Sequence, residues 1–463
     1  MNMGEAVLRY LPGPLAERLN SNPFMRRIAR GAFWTLIGAM AARVLRLPIS
    51  VVLARLMKPA SYGQLGIVVG SIDLFVVFAG FGLGLTATKH IAEYRAQDPV
   101  RAGRVLVVSN AVALASGVLF TVLLLVMAPW LARHTLAAPQ LTVPLRIGAL
   151  TLLFSAMNGA QLGALYGFEA FQITARLQAI TGVADIPLML GGYYFGGLNG
   201  VLFGMAISRF LTWLLMGFAV RAEARRYGIP MSWGDWKHEV RVLWEFSLPA
   251  ALAGIMVVPV NWVCSAILVN QPRGYVDMGV YSAANQWYAA LMFIPTMLGS
   301  ALLPVLSERM GERDNDGSGK IVKTMLKLNS AIVLPIGIAM SIASPMIMRI
   351  YGTDYRQAWP TLVAVVWTAV IMGIINPIGD VIAASGRMWL GLLMNAGWAA
   401  VYIVSTALLV RWGSLGLASS RLLAYVVHAI WTFAFAYYVL QRRRNLPPGE
   451  PRVIVPADAV EVK

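Results

Sequence analysis

Long apolar stretches alternate with short polar segments along most of the 463-residue chain. A helix needs about 20 apolar residues to cross the hydrocarbon core of a bilayer. The stretches lack the ten-residue alternation that is typical of outer-membrane barrel strands. We therefore predict an all-α polytopic membrane protein with about twelve transmembrane helices. The predicted spans are 31–55, 62–87, 104–127, 143–166, 179–197, 200–220, 246–270, 279–303, 324–349, 358–384, 388–410 and 414–440.

Residues that break helices stand between these spans. Lys58-Pro59, Asp98-Pro99, Gly196-Gly197 and Gln271-Pro272 each fall in a predicted loop, where proline and glycine favour turns. The fifth span is the shortest and contains Pro187.

The composition agrees with a membrane protein and excludes several other classes. The chain is 58% hydrophobic and only 13% charged, whereas soluble proteins carry about 25% charged residues. Its four histidines and one cysteine are scattered and predict no metal site. A Walker A motif is absent from the sequence, so we expect no ATP hydrolysis and no cofactor.

The net charge of +17 reflects topology, and it does not indicate a nucleic-acid partner. If the N-terminus is cytoplasmic, 26 of the 38 Lys and Arg residues lie in cytoplasmic segments and seven lie in outer loops or helix ends. Basic residues accumulate on the cytoplasmic side of membrane proteins. We therefore predict that both termini are cytoplasmic.

Twelve spans divide into two sets of six, and a short internal sequence repeat supports this division. Three residues that span the first outer loop recur 213 positions later: Pro59, Tyr62 and Gly66 match Pro272, Tyr275 and Gly279. The predicted organisation is an N-terminal segment, a first bundle, a cytoplasmic linker, a second bundle and a cytoplasmic tail, at 1–30, 31–220, 221–245, 246–440 and 441–463.

Charged residues inside the spans are the first candidates for function, because each costs about 2.5–3.5 kcal/mol at the bilayer centre. Arg43 and Arg46 share one face of the first span, and Asp73 lies at similar depth in the second. Arg209 and Arg421 lie within the last span of each half. One arginine could form a structural ion pair with Asp73. The other would still need an anionic partner, such as a ligand in a water-filled cavity.

Other polar residues leave two interpretations open. Asp73 and Asp380 could carry a coupling proton or Na⁺, or they could only balance charge. Asn285 and Gln286 could bind sugar hydroxyls, or they could hydrogen-bond neighbouring helices. The many tryptophans and tyrosines are expected mainly at the membrane interfaces.

Six short motifs, spaced along most of the chain, resemble those of the polysaccharide biosynthesis or O-antigen-type flippases of the multidrug/oligosaccharidyl-lipid/polysaccharide exporter superfamily. The motifs are 53–63 (LARLMKPASYG), 80–84 (GFGLG), 89–93 (KHIAE), 166–170 (YGFEA), 246–249 (FSLP) and 350–355 (IYGTDY).

The resemblance implies two six-helix bundles around a central cavity that opens alternately to each side. It implies a bacterial inner-membrane transporter that moves undecaprenyl-diphosphate-linked oligosaccharides to the outer leaflet for exopolysaccharide, capsule or O-antigen synthesis. A polysaccharide polymerase and export machinery would be its partners, and the bilayer its environment. No catalytic residues carry over from the resemblance.

Our leading hypothesis assigns the diphosphate of such a substrate to Arg43 and Arg46, with Arg209 and Arg421 in the same cavity, because arginine forms bidentate contacts with phosphate. A proton or Na⁺ gradient, or the membrane potential, would drive transport. A cation-coupled multidrug exporter of the same superfamily is the first alternative, although it would need a cavity dominated by carboxylates. A membrane glycosyltransferase or polymerase is less favoured, because the predicted loops are short.

Overall fold

The computed structural model describes residues 23–80, 82–231, 233, 256–299, 315–384 and 388–444, and regular structure in these ranges is helical. Its α-helices are α1 (Pro23–Gly80), α2 (Leu83–Tyr94), α3 (Pro99–Trp130), α4 (Thr142–Gly167), α5 (Phe171–Arg226), α6 (Val257–Val269), α7 (Gly274–Leu291), α8 (Asn315–Ile350), α9 (Trp359–Ala384), α10 (Met388–Leu409) and α11 (Gly413–Arg444).

Seven helical segments in the described part of the chain are long and apolar enough to cross a membrane. Three of them, Leu45–Tyr94, Phe171–Arg226 and Leu390–Phe435, each overlap two of the predicted spans. The prediction of an all-α polytopic membrane protein is therefore confirmed, and the number of twelve crossings stays a prediction.

Two long helices break where the sequence predicts a break. At Lys58 the backbone leaves the helical region with φ 60° and ψ 167°, and Pro59 follows with no N–H for the preceding turn. In α5 the break falls on Gly196 and Gly197, where Gly197 has φ 55°. Glycine adopts this left-handed conformation without steric cost. Each long helix is thus a pair of antiparallel segments.

Several helix ends lie beyond the predicted spans. Helix α1 begins at Pro23, α5 begins at Phe171 and extends to Arg226, and α11 continues to Arg444. The helices predicted to begin at 31 and 179, and those predicted to end at 220 and 440, were therefore too short. An apolar window marks the hydrocarbon core, and a helix can continue past it. Residues 246–255 of the seventh predicted span, including the 246–249 motif, lie outside the described residues.

The helices pack as an N-half, α1–α5, and a C-half, α6–α11. In the N-half α4 lies against α3, α5 and α2, and in the C-half α9 and α10 lie against α11. The main contact between the halves is between α1 and α7. Here the repeated loop residues of the two halves meet.

The α1–α7 contact is a close-packed seam of small residues. A methyl group built on Gly63 would lie 1.9 Å from the carbonyl oxygen of Tyr275, and one on Gly279 would lie 1.9 Å from that of Pro59. Such an approach requires glycine at both positions.

Hydrogen bonds between the halves surround the seam. The Tyr355 hydroxyl donates to the Ala54 carbonyl at 3.3 Å, and the Tyr275 hydroxyl donates to the Leu136 carbonyl at 2.7 Å. Arg55 also donates from Nε to the carbonyl of Ile350. The two halves are therefore joined at the end of the molecule that carries the loops near residues 58, 136, 273 and 352.

Candidate functional site: a charged cavity between the two halves

A cavity of about 610 Å³ lies between the halves, next to the seam. Helices α1, α4 and α5 form its N-half wall, and α6, α7 and α11 form its C-half wall. Trp262 on α6 closes part of the boundary, because its Nε1 donates to Ser71 Oγ on α1 at 2.9 Å. The cavity is thus lined by both halves of the protein.

The N-half wall carries a cluster of two arginines and two aspartates: Arg46, Asp73, Asp185 and Arg209. Arg46 and Asp73 are exposed to the cavity, and Arg209 and Asp185 are partly buried. Arg209 is attracted by both aspartates and repelled by Arg46. Asp185 also accepts a hydrogen bond from the Ser208 hydroxyl.

The structural ion pair that the sequence left open is not formed between Arg46 and Asp73. Among the described side chains, no salt bridge joins Asp73 to any cation, although Arg209 and Arg46 both act on it electrostatically. Arg43 lies on α1 three residues before Arg46, but its side chain is outside the described part of the structure.

A second polar cavity of about 320 Å³ adjoins the N-half cluster. It shares Arg46, Asp185, Ser208 and Arg209 with the central cavity. Its remaining polar lining comes from α4 and α5, as Asn158, Gln178, Thr181 and Thr212. The two arginines therefore border two spaces that can hold water, and this environment lowers the cost of charge within a membrane.

The C-half wall is organised around one buried arginine. Arg421 on α11 is 6% exposed and donates from Nη1 to Asn285 Oδ1 at 2.7 Å and to the Tyr281 hydroxyl at 3.1 Å. Its guanidinium lies 4.1 Å from the centre of the Tyr288 ring, within the range of a cation–π contact. Gln286 lines the same cavity.

The structure brings together most of the residues singled out from the sequence. Six of them line the central cavity: Arg46, Asp73, Arg209, Asn285, Gln286 and Arg421. The carbonyl oxygen of Asn285 accepts a hydrogen bond from Arg421, and its amide N–H groups can donate to a sugar. Asp380 lies on α9, and its side chain is outside the described part of the structure.

Sequence reasoning missed several cavity residues. Trp262, Tyr281 and Tyr288 were expected at the membrane interfaces, yet they line the cavity. Tyr281, Asn285 and Tyr288 are spaced four and three residues apart, which places them on one helix face. This spacing, together with a polar residue in an apolar span, is the signal that could have found them. Asp185 did carry a signal, since it is a charged residue inside the fifth predicted span, whereas Ser208 carried none.

Comparisons with known proteins agree with this architecture. A solved multidrug resistance MATE family transporter of the MOP superfamily, in an inward-facing conformation, has a TM-score of 0.73 at 15% identity, and the match covers 89% of this chain and 99% of that one. At this identity the likeness concerns the fold alone.

Among curated sequences, the chain is 22% identical over 425 residues to the lipid III flippase of Escherichia coli, covering 90% of this chain and 99% of that protein. It is 25% identical over 288 residues to the EPS I polysaccharide export inner membrane protein EpsE of Ralstonia solanacearum, covering 60% of this chain. The chain spans 64% of the length of that protein and 44% of the length of its counterpart in Ralstonia nicotianae.

Two family profiles match the sequence. The MatE profile matches residues 249–408. The profile described as polysaccharide biosynthesis protein matches residues 28–310, which is more than half of the chain and includes most of α1, the whole of α7 and the seam between them. The resemblance carried by the short motifs is thereby confirmed, and the chain belongs to the polysaccharide biosynthesis protein family.

Proposed function

We propose that this protein is a flippase that moves lipid-linked oligosaccharides from the cytoplasmic to the outer leaflet of a bacterial inner membrane. The observation that carries the proposal is the cavity between the halves, which has arginines on both walls. The names of the relatives, a polysaccharide export protein and a lipid III flippase, support a transporter of this class over an enzyme.

The undecaprenyl diphosphate of the substrate would bind at the N-half cluster. Arg46 and Arg209 face the cavity without a salt bridge among the described side chains. A diphosphate accepts charge-assisted hydrogen bonds from the planar guanidinium group, and these are about twice as strong as neutral ones. The adjacent Arg43 remains a candidate for the same role. The sugars would contact Gln286 and the amide of Asn285, while the polyprenyl tail stays in lipid.

The orientation follows from the basic residues, with both termini cytoplasmic. In this orientation the α1–α7 seam lies at the outer end, so the molecule is closed to the outside and would receive its substrate from the cytoplasm. A proton or Na⁺ gradient, or the membrane potential, would supply the energy. A polymerase and export machinery would take up the product in the outer leaflet.

The multidrug exporter of the same superfamily remains the alternative function. Its cationic substrates would require a surplus of carboxylates. The described cavity lining has three arginines and two aspartates, and this balance favours an anionic substrate.

Reconstituted proteoliposomes test the proposal. A polyprenyl-diphosphate-linked disaccharide with a fluorescent label is placed in both leaflets, and a membrane-impermeant reductant reports the fraction that reaches the outside. Wild-type protein should move the lipid, and Arg46→Gln or Arg209→Gln should slow it about tenfold or more, since a hydrogen bond to a charged group contributes about 1.5–3 kcal/mol.

Arg146→Gln is the matched control. Arg146 is an exposed arginine of α4 that lines neither cavity, so its variant should transport at nearly the wild-type rate. Efflux of ethidium from the same vesicles without movement of the glycolipid would refute the proposal and favour the drug exporter.

A further inference from the structure

Arg421 is a membrane-buried cation whose contacts are made with neutral groups. Beyond Asn285 and Tyr281, its guanidinium lies near the rings of Tyr288 and Tyr425, at 4.1 and 5.9 Å from their centres. Its Nε is buried and has no hydrogen-bond partner among the described residues. A buried charge is costly unless it is paired. The site therefore lacks an anionic partner among the described residues.

The C-half acids whose side chains the structure describes, Asp277 and Asp354, do not supply that partner. The described cavity lining of this half contains no carboxylate. Asp277 and Asp354 belong to the loop end of the molecule, where the Asp277 carboxyl group lies against Gly413. Neither forms a salt bridge with Arg421.

Asp380 lies at a different depth, as the backbone register shows. Thr361 on α9 and Ser414 on α11 are hydrogen-bonded at 3.0 Å, so the two helices begin at the same level. Asp380 is 19 residues beyond Thr361, and Arg421 is seven residues beyond Ser414. At 1.5 Å per residue their backbones differ in depth by about 18 Å.

The C-half arginine lies on the cavity wall opposite the N-half cluster. The charges that act on Arg209 are Arg46, Asp185 and Asp73, all from the N-half. Arg421 contacts tyrosines of its own half, Tyr281, Tyr288 and Tyr425. The cavity therefore has two cationic subsites on opposite walls, and in the described lining the aspartates belong to the N-half subsite.

The surroundings of Arg421 favour a sugar as the carrier of the missing anion. The C-half wall presents neutral polar side chains from Asn261, Ser282 and Gln286, together with the aromatic rings of Trp262 and Tyr288. These groups suit hydroxyls and the apolar faces of sugar rings. A carboxylate in a sugar would meet Arg421 while its ring contacts this wall.

We propose that the Arg421 subsite binds a carboxylate of the glycan, so that the transported molecule is an acidic oligosaccharide on a polyprenyl diphosphate. The inference rests on the proposed function. It assigns the lipid diphosphate to Arg46 and Arg209 and the acidic sugar to Arg421. The substrate then spans the cavity with one anionic group on each wall.

The test measures binding to the full-length protein in nanodiscs with three probes. They are a polyprenyl diphosphate without sugar, the same lipid with a disaccharide ending in glucose, and the same lipid ending in glucuronate. Wild-type protein should bind the glucuronate lipid about tenfold more tightly than the glucose lipid, as expected of a close charge pair. Arg421→Gln should abolish this preference and leave the affinity for the sugar-free lipid within about twofold.

Two further variants keep the test decisive. Arg421→Lys retains the charge but loses the planar guanidinium group. It should therefore keep a reduced preference for the glucuronate lipid over the glucose lipid, and this can be measured even if Arg421→Gln folds poorly. Arg209→Gln should weaken binding of all three lipids alike, because they share the diphosphate.

Each contrary outcome refutes a defined part of the reasoning. Equal binding of the two glycolipids to wild-type protein refutes this inference alone. A loss of affinity for the sugar-free lipid in Arg421→Gln also refutes it, because Arg421 would then bind the diphosphate. Failure of wild-type protein to bind any of the three lipids refutes the proposed function as well.

Discussion

The seam between α1 and α7 predicts that a single methyl group opens the molecule at its loop end. In Gly279→Ala the new Cβ would lie 1.9 Å from the carbonyl oxygen of Pro59. Real Cβ atoms essentially never approach a heavy atom within 3.0 Å. The atom opposite belongs to the backbone of α1 and cannot rotate away, so the two helices must separate by about 1 Å or more.

The magnitude follows from the cost of overpacking. An extra methyl group in a well-packed interface costs about 1–3 kcal/mol. The cost falls on the closed state alone, because the seam separates when this end opens. The equilibrium between closed and open should therefore shift towards open by about fivefold to 150-fold. Alanine also favours the helix by about 0.5–1 kcal/mol, but it does so in both states.

Spin labels at Lys58 and Arg273 report the change directly. Both residues are exposed and stand at the loop end of their halves. Cys264, the sole cysteine, is buried and is replaced by serine in the labelled protein. The distance distribution of Gly279→Ala should gain a longer component, and the wild-type distribution should be dominated by the short one.

Gly191→Ala is the matched control for this experiment. Gly191 lies within α5, and a methyl group there would meet nothing within 4 Å. The control should leave the distances unchanged. The reasoning about the seam is wrong if Gly279→Ala retains the wild-type thermal midpoint and gives the same distances as Gly191→Ala.

Three further predictions concern topology, binding and coupling. Cysteines at Arg273 and Asp354, in the Cys264→Ser protein, should react with impermeant reagents from outside intact cells, and reaction only after permeabilisation would reverse the orientation. Arg46→Lys should retain part of the transport activity in the proteoliposome assay, because lysine keeps the positive charge but cannot form bidentate contacts. Activity as low as that of Arg46→Gln would contradict a contribution of the positive charge by itself. Asp73→Asn mimics a protonated carboxyl group, so it should bind the glycolipid but no longer respond to a proton or Na⁺ gradient; a full response to both would leave Asp73 as a charge-balancing residue.

The sequence was informative where local chemistry decides the structure. The break at Lys58-Pro59 and the turn at Gly196-Gly197 follow from the backbone limits of proline and glycine, which no tertiary contact has to supply. The membrane class followed from apolar length. Helix ends such as Phe171 could not be predicted as well from the sequence, because backbone hydrogen bonds continue the helix beyond the apolar window.

The site was predictable only in its charges. Arg46, Arg209 and Arg421 stood out because charge inside a span requires a reason. Tyr281 and Tyr288 did not, since a tyrosine in a span can face lipid, an interface or a cavity, and only the packing of α7 against α11 decides this. The contact between Gly63 and the Tyr275 carbonyl likewise depends on how the two halves meet.

Asn285, which holds Arg421, and Gly279, which packs on Pro59, belong to the same uninterrupted helix α7. They are six residues apart, about 9 Å along the axis. A short regular helix moves as a rigid body. A displacement of α7 at Asn285 therefore also moves Gly279 in the seam, and no other element has to transmit it. An acidic glycolipid should therefore lengthen the distance between labels at Lys58 and Arg273 in wild-type protein and leave it unchanged in Arg421→Gln. Substrate binding at Arg421 and opening of the seam would then be coupled through the single helix α7.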